Sequence, residues 1–310
     1  MDFTGLVRKY RVNRPIDDDE RAHRLRQGQR LQVEPHDQLC VIKINSSYLD
    51  SVDRYYDSRG ALTLMALVVI MVCVGGFVAM SLAAQRPLAL GLYTPGTAAV
   101  FLGFVAFVMA PIVALSVWMA RRELGRYTHY PIRLDRRNRM LHVFRLDGSI
   151  LSVRWDDVFF TLGRCSGSVQ PVRDIRGLVL DRDGVTVREQ FAFSLWEVDP
   201  QRLKAHWEFL RRYMEEGPKD LIDRIRYCVP IDGRRERFRV GLERVFANDA
   251  GSPPIYWLMW PFNLLLACTR ALVMRTCRVP VWPKDIEEAA PVSKDDPYVK
   301  DASSNPPNLR

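Results

Sequence analysis

Two stretches break the alternation of apolar and polar positions along this chain. Residues 61–84 read ALTLMALVVIMVCVGGFVAMSLAA and residues 97–120 read TAAVFLGFVAFVMAPIVALSVWMA, both without a charge. About 20 apolar residues at ~1.5 Å rise cross the hydrocarbon core of a bilayer, so each run predicts a spanning helix. A buried core helix in a soluble protein is the alternative reading, but two such runs in tandem exceed what a core helix needs. The connection, residues 85–96, is short and holds Pro87, Gly91, Pro95 and Gly96, so it can only reverse the chain. The pattern predicts an antiparallel transmembrane helical hairpin over 61–120. Small residues recur four apart (Gly75, Ala79, Ala83; Ala99, Gly103; Ala106, Ala110, Ala114) and let helix backbones approach closely. Packing within the hairpin is their main predicted use, and a homo-oligomer seam is the other.

Beyond the hairpin the period changes from helical to strand-like. YPIRLD, MLHVFRL, ILSVRW, VFFTLG, IRGLVLD and TVREQFAF are β-rich runs, and Asp147-Gly148 and Asp183-Gly184 between them are hairpin-turn signals. Pro200 opens a helix in which Leu203, Trp207, Leu210 and Met214 share a face, and Gly217-Pro218 ends it. Residues 126–218 therefore predict a β-rich domain closed by an amphipathic helix, an element order similar to the pleckstrin-homology barrel. In the N-terminal segment, 1–60, LCVIKI (39–44) suits a strand whose partners lie past the hairpin, which would make the domain discontinuous. Residues 219–290 are basic and helical in part. Their uncharged stretch, 252–269, carries three prolines and Asn263, which predicts an interfacial segment rather than a third span. Tyr256, Trp257 and Trp260 suit the headgroup level there, and Arg270, Arg275 and Arg278 suit anionic lipid. The last twenty residues, 291–310, predict a disordered tail. The fold class expected is an α+β membrane protein.

Charge orients the hairpin. The tip carries only Arg86, whereas Arg54, Arg59, Arg121, Arg122, Arg126, Arg133, Arg136, Arg137 and Arg139 flank the two runs, so both flanks and both termini should be cytoplasmic. Arg121, Arg122 and Arg126 are the expected basic membrane contacts, and Tyr55, Tyr56, Trp118 and Tyr127 the expected aromatic belt. The net charge of +9 raises nucleic acid, anionic lipid and acidic protein as partners. Acidic residues flank DRRNR (135–139) and GRRERFR (233–239) and no nucleic-acid module surrounds them, so nucleic acid is set aside. The N-terminus has no apolar core and predicts no cleavable signal peptide. The six cysteines show no disulfide framework, which fits a reducing compartment.

Candidate chemistry adds little. Gly163-Arg164-Cys165-Ser166-Gly167 has the spacing of a nucleophile turn, but GSVQPVRD after it starts no helix. Asp181 and Asp183 before Gly184 fail the register of a calcium loop. The five histidines show no metal-ligand spacing, and no phosphate-binding glycine loop appears. The expectation is a protein without catalytic residues, cofactor or metal.

The runs HYPIRLDRRNRMLHVFRLDGSILSVRWDDVFFTLG, WEFLRRYMEEGP, VPIDGRRERFRVG and VPVWPKDIE resemble a family of uncharacterised proteobacterial two-helix membrane proteins associated with type VI secretion effector loci. The resemblance covers roughly residues 127–288. It implies an inner-membrane immunity or accessory protein whose cytoplasmic domain binds a protein partner, such as a cognate toxin. A membrane-tethered lipid-sensing or scaffolding module is the alternative.

Overall fold

A computed structural model describes residues 5–7, 10–165, 172–247, 251 and 253–309. It is an α+β chain with two antiparallel sheets and three long apolar helices. The strands are β1 (Arg14–Pro15), β2 (Arg24–Leu25), β3 (Val41–Ile44), β4 (Tyr48–Ser51), β5 (Ile132–Asp135), β6 (Met140–Phe144), β7 (Ile150–Arg154), β8 (Val158–Arg164), β9 (Arg173–Leu180) and β10 (Thr186–Glu197). The helices are α1 (Asp18–Ala22), α2 (Ala61–Ala89), α3 (Pro95–Ala120), α4 (Pro200–Glu215), α5 (Phe238–Ala247), α6 (Pro253–Thr276) and α7 (Lys284–Ala289). Two units result. One gathers residues 1–57, 127–236 and 278–310, and the other gathers 58–126 and 237–277.

In the β-rich unit the sheets run β1-β10-β9-β8-β2 and β3-β4-β5-β6-β7. Turn chemistry sets their hairpins. Gly148 (φ 89°) and Gly184 (φ 67°) take the left-handed conformation that a β-carbon disfavours. Asp183 accepts from the backbone of Val185 (2.9 Å) and Thr186 (2.8 Å), and these bonds with the Thr186 hydroxyl hold its carboxyl down to about 2. On α4, capped by Asp199, the buried stripe Leu203, Trp207, Leu210 and Met214 faces the core. There the Trp155 and Trp207 rings stack 5.6 Å apart and Phe160 lies 4.8 Å from Trp207.

The strand expected at 39–44 forms as β3, but its partner is the neighbouring β4 rather than a strand past the hairpin; it is β4 that pairs with β5 across the whole of the intervening hairpin sequence. The unit is discontinuous, and 1–57 is not a separate segment from the domain at 126–218, because β1 to β4 supply strands to both sheets. The C-terminal residues differ from expectation. Asp296 accepts from the Ser46 backbone and hydroxyl (both 2.8 Å), Lys300 exchanges backbone bonds with Ile44, and Asn305 grips the backbone of Cys228. Residues 291–309 are a packed strap whose polar side chains serve as backbone partners, which is why their composition reads as disorder.

In the helical unit α2 and α3 pack against one another, joined by the turn around Leu90. The segment expected to be broken by prolines is instead one continuous helix, α6. Pro253 and Pro254 stand in its first turn, where a missing N–H costs nothing, and only Pro261 lies inside.

Candidate membrane interface

Among the described residues three helices are long and apolar enough to cross a membrane: α2, α3 and α6, of 29, 26 and 24 residues. Apart from Cys73, the buried residues of α2 lie in its first two turns, at Leu62, Thr63, Leu64 and Ala66. Past that point α2 and α3 expose bulky apolar side chains on most sides, Met71, Val72, Phe104 and Phe107 among them. Such a surface is lipid-facing in character.

The hairpin ends are joined by a residue that the sequence pattern did not single out. Gly60, the cap position of α2, has φ 90° and no side chain with which to cap it. Glu123, just past α3, is buried and supplies the missing acceptor. Its carboxylate takes the backbone N–H of Gly60 (3.2 Å) and Thr63 (2.9 Å) and the Thr63 hydroxyl (2.7 Å). A negative group at a helix N-terminus also complements the helix dipole. A β-carbon at Gly60 would lie 2.5 Å from the Arg270 backbone nitrogen, so α6 passes directly over the start of α2. Leu64, Leu266 and Val245 of α5 pack together at the same level.

The expected membrane contacts fall in two places. Arg121, Arg122 and Arg126 lie at or just past the end of α3; Arg121 and Arg126 are exposed, and Arg122 stacks 4.5 Å from the Trp118 ring. Tyr256, Trp257 and Trp260 lie on α6, where Tyr256 and Trp260 pack edge-on against Phe246 of α5 and Trp257 stays exposed. Tyr55 and Tyr56 do not join an aromatic belt. Both are buried in the β-rich unit, where Tyr55 meets Tyr10 (3.3 Å) and Tyr56 donates to Glu236. Arg54 and Arg133 are buried there too, paired with Asp174 and Asp50. Two of the arginines expected to orient the hairpin are thus internal ion-pair partners in the fold.

A second surface lies on the β-rich unit alone. Val33, Glu34, His36, Gln38, Gln201, Arg202 and Ala205 line an open cleft of about 430 Å³. Beside it Gln38 (φ 53°) and Leu39 (φ 55°) are consecutive left-handed residues, and Leu39 is 46% exposed. That conformation costs roughly 1–2 kcal/mol for a residue such as leucine. Beneath the cleft His206 is sealed from solvent, its Nε2 lying 3.3 Å from the Ser194 hydroxyl and 3.9 Å from Cys40 Sγ. Burial pushes its imidazole down to about 4, so it is neutral there. Among the described residues no cluster of His, Cys, Asp and Glu has the makings of a metal site. Cys165 of the glycine-flanked motif is buried at the end of β8, and Ser166 and Gly167 fall outside the described residues.

Residues 108–294, more than half of the chain, match the model of a family of unknown function, DUF6708. The match begins inside α3 and runs through β5–β10, α4, α5, α6 and α7. No curated protein matches the chain, and no solved structure does.

Proposed function

We propose that this chain, which belongs to DUF6708, a family of unknown function, is a membrane-anchored, non-enzymatic binding protein of the bacterial inner membrane. In this reading α2 and α3 cross as a hairpin with its tip outside. The β-rich unit and both termini are cytoplasmic, in keeping with the arginines that flank the hairpin against Arg86 at the tip. The β-rich unit holds a protein partner. One observation carries this: Gln38 and Leu39 are strained so as to present an exposed leucine beside a cleft, and backbone strain of this kind persists where it serves a site.

The sequence resemblance makes a toxin delivered by type VI secretion the partner of choice, with this chain as immunity or accessory protein. The tip of the hairpin is too small to hold a toxin by itself, so capture belongs to the cytoplasm or the inner leaflet. The runner-up, a membrane-tethered lipid-sensing or scaffolding module, draws on strands followed by a closing amphipathic helix, the order of a pleckstrin-homology barrel.

Expressing an effector from a neighbouring gene with and without this protein tests the immunity role. Protection should be lost in Leu39→Asp at unchanged membrane level. Equal killing with and without the wild-type chain would sink it. Alkaline phosphatase fused after Leu90 should be active and fused after Lys219 inactive; activity at Lys219 would reverse the orientation.

A further inference from the structure

α6 is as long as a spanning helix, yet chain connectivity argues against its spanning. The chain leaves the β-rich unit after Asp57, returns at Tyr127, leaves again after Glu236 and returns at Arg278. All four points belong to one folded body. Strands β4 and β5 join the segments either side of the hairpin, Glu236 bonds to Tyr56, and the Arg278 carbonyl accepts from the Thr128 backbone at 2.8 Å. A folded body lies on one side of a bilayer, so each excursion must cross an even number of times. The first, 58–126, contains two crossing helices. Among the described residues the second, 237–277, contains one helix long enough to cross, α6. The other helix in it is α5, ten residues or ~15 Å long, carrying Arg239, Glu243 and Arg244, which can make no return crossing.

We infer that α6 crosses zero times and lies in the plane of the cytoplasmic leaflet, an interfacial anchor with its bare surface on the acyl–headgroup boundary. The inference rests on the reading of α2 and α3 as a spanning hairpin. Two independent observations agree with it. α6 meets α2 at its start, where the Arg270 backbone passes over Gly60 and Leu266 packs on Leu64. α6 also leaves an apolar surface bare. Asn263, Leu266, Ala267, Arg270, Val273 and Met274 in its second half are buried, none of residues 253–262 is, and Ile255, Leu258, Phe262, Leu265 and Leu272, spaced three, four, three and seven apart, form an exposed apolar stripe in which Leu258 is 77% exposed. The occupant of that stripe is lipid rather than a second copy. The stripe is continuous in kind with the bare faces of α2 and α3, Trp257 stands exposed as a headgroup-level aromatic, and the exposed Arg237, Arg239, Arg275 and Arg278 suit anionic headgroups.

Labelling of the full-length protein in membranes tests this. Leu90→Cys at the hairpin tip and Gly251→Cys just before α6 are exposed positions, and a membrane-impermeant maleimide is applied to intact spheroplasts and to inverted vesicles, with labelled peptides identified by mass. Leu90→Cys should label at least tenfold more in spheroplasts and Gly251→Cys at least tenfold more in inverted vesicles. Both labelling from outside would leave the hairpin standing and overturn the in-plane helix. A tip that labels only from inside would overturn the hairpin, and the inference with it. A spin label at Leu258→Cys should report a depth of about 5–10 Å below the headgroups. A midplane depth near ~15 Å, or dipolar broadening from a second copy's label, would overturn the assignment to the leaflet surface.

Discussion

Asp50 and Arg133 stand directly opposite each other across β4 and β5, and both carboxylate oxygens accept from the guanidinium at 2.7 Å. Both residues are buried, and Arg133 also lies 4.0 Å over the Tyr48 ring and 4.9 Å from the Trp282 ring. The pair fixes the register between a strand before the hairpin and a strand after it. A one-residue slip would separate them and turn each strand inside out.

Removing one partner leaves the other charge buried and unmatched, a loss of about 3–5 kcal/mol. Asp50→Ala should therefore lower the denaturant midpoint of the detergent-solubilised protein sharply. Asp50→Ala combined with Arg133→Met should be clearly more stable than Asp50→Ala alone. Equal losses in the single and double variants would mean that the pair does not couple the strands.

Glu123→Ala should loosen the hairpin at its charged end. It strands the Gly60 and Thr63 N–H groups, at roughly 1–3 kcal/mol for each buried donor left unmatched. Glu123→Gln, which keeps an acceptor, should lose less. Unfolding in mixed detergent micelles reads the difference, and indistinguishable Ala and Gln variants would remove the capping role.

His206 gives the fold a defined acid sensitivity. Its folded pKa, about 4, lies below the ~6.5 of an unfolded chain, so the unfolded state binds more protons between those values. The contribution is whole above pH ~6.5 and is lost as pH falls to 4, amounting to roughly 3 kcal/mol. Asp37, raised by burial, acts in the opposite sense. His206→Asn should flatten stability against pH over this interval relative to wild type; an unchanged slope would show that other groups set it.

The hairpin was legible because long charge-free runs have few physical readings, and the turns at Asp147-Gly148 and Asp183-Gly184 because few residues accept their backbone. The strand at 39–44 was legible as a strand but its partner was misplaced: it pairs with the adjacent β4, and it is β4 that reaches the strands past the hairpin. Glu123 was not legible: a lone carboxylate among arginines looks like surface charge until Gly60 is seen to lack a cap. The continuity of α6 was hidden because prolines were read as breaks, although two of the three sit where a helix tolerates them. The strap at 291–309 was hidden because its contribution comes from Asp296 and Asn305 bonding to distant backbone, which no local pattern records. The cleft beside Leu39 depends on backbone dihedrals at Gln38 and Leu39, where the residue types give no sign of a left-handed turn.

The Gly60–Glu123 bond also bears on how the chain finds its fold. Asp50 and Arg133 are separated by 83 residues, a distant meeting for two strands. Once α2 and α3 are packed and their ends held together, the free chain between β4 and β5 shrinks to roughly 20 residues, two halvings that relieve about 1 kcal/mol of closure entropy. The sheet is then assembled as though its middle strands were near neighbours. The hairpin would form first during synthesis, and the β3-β4-β5-β6-β7 sheet would close only after the joined hairpin ends have brought its two halves within reach.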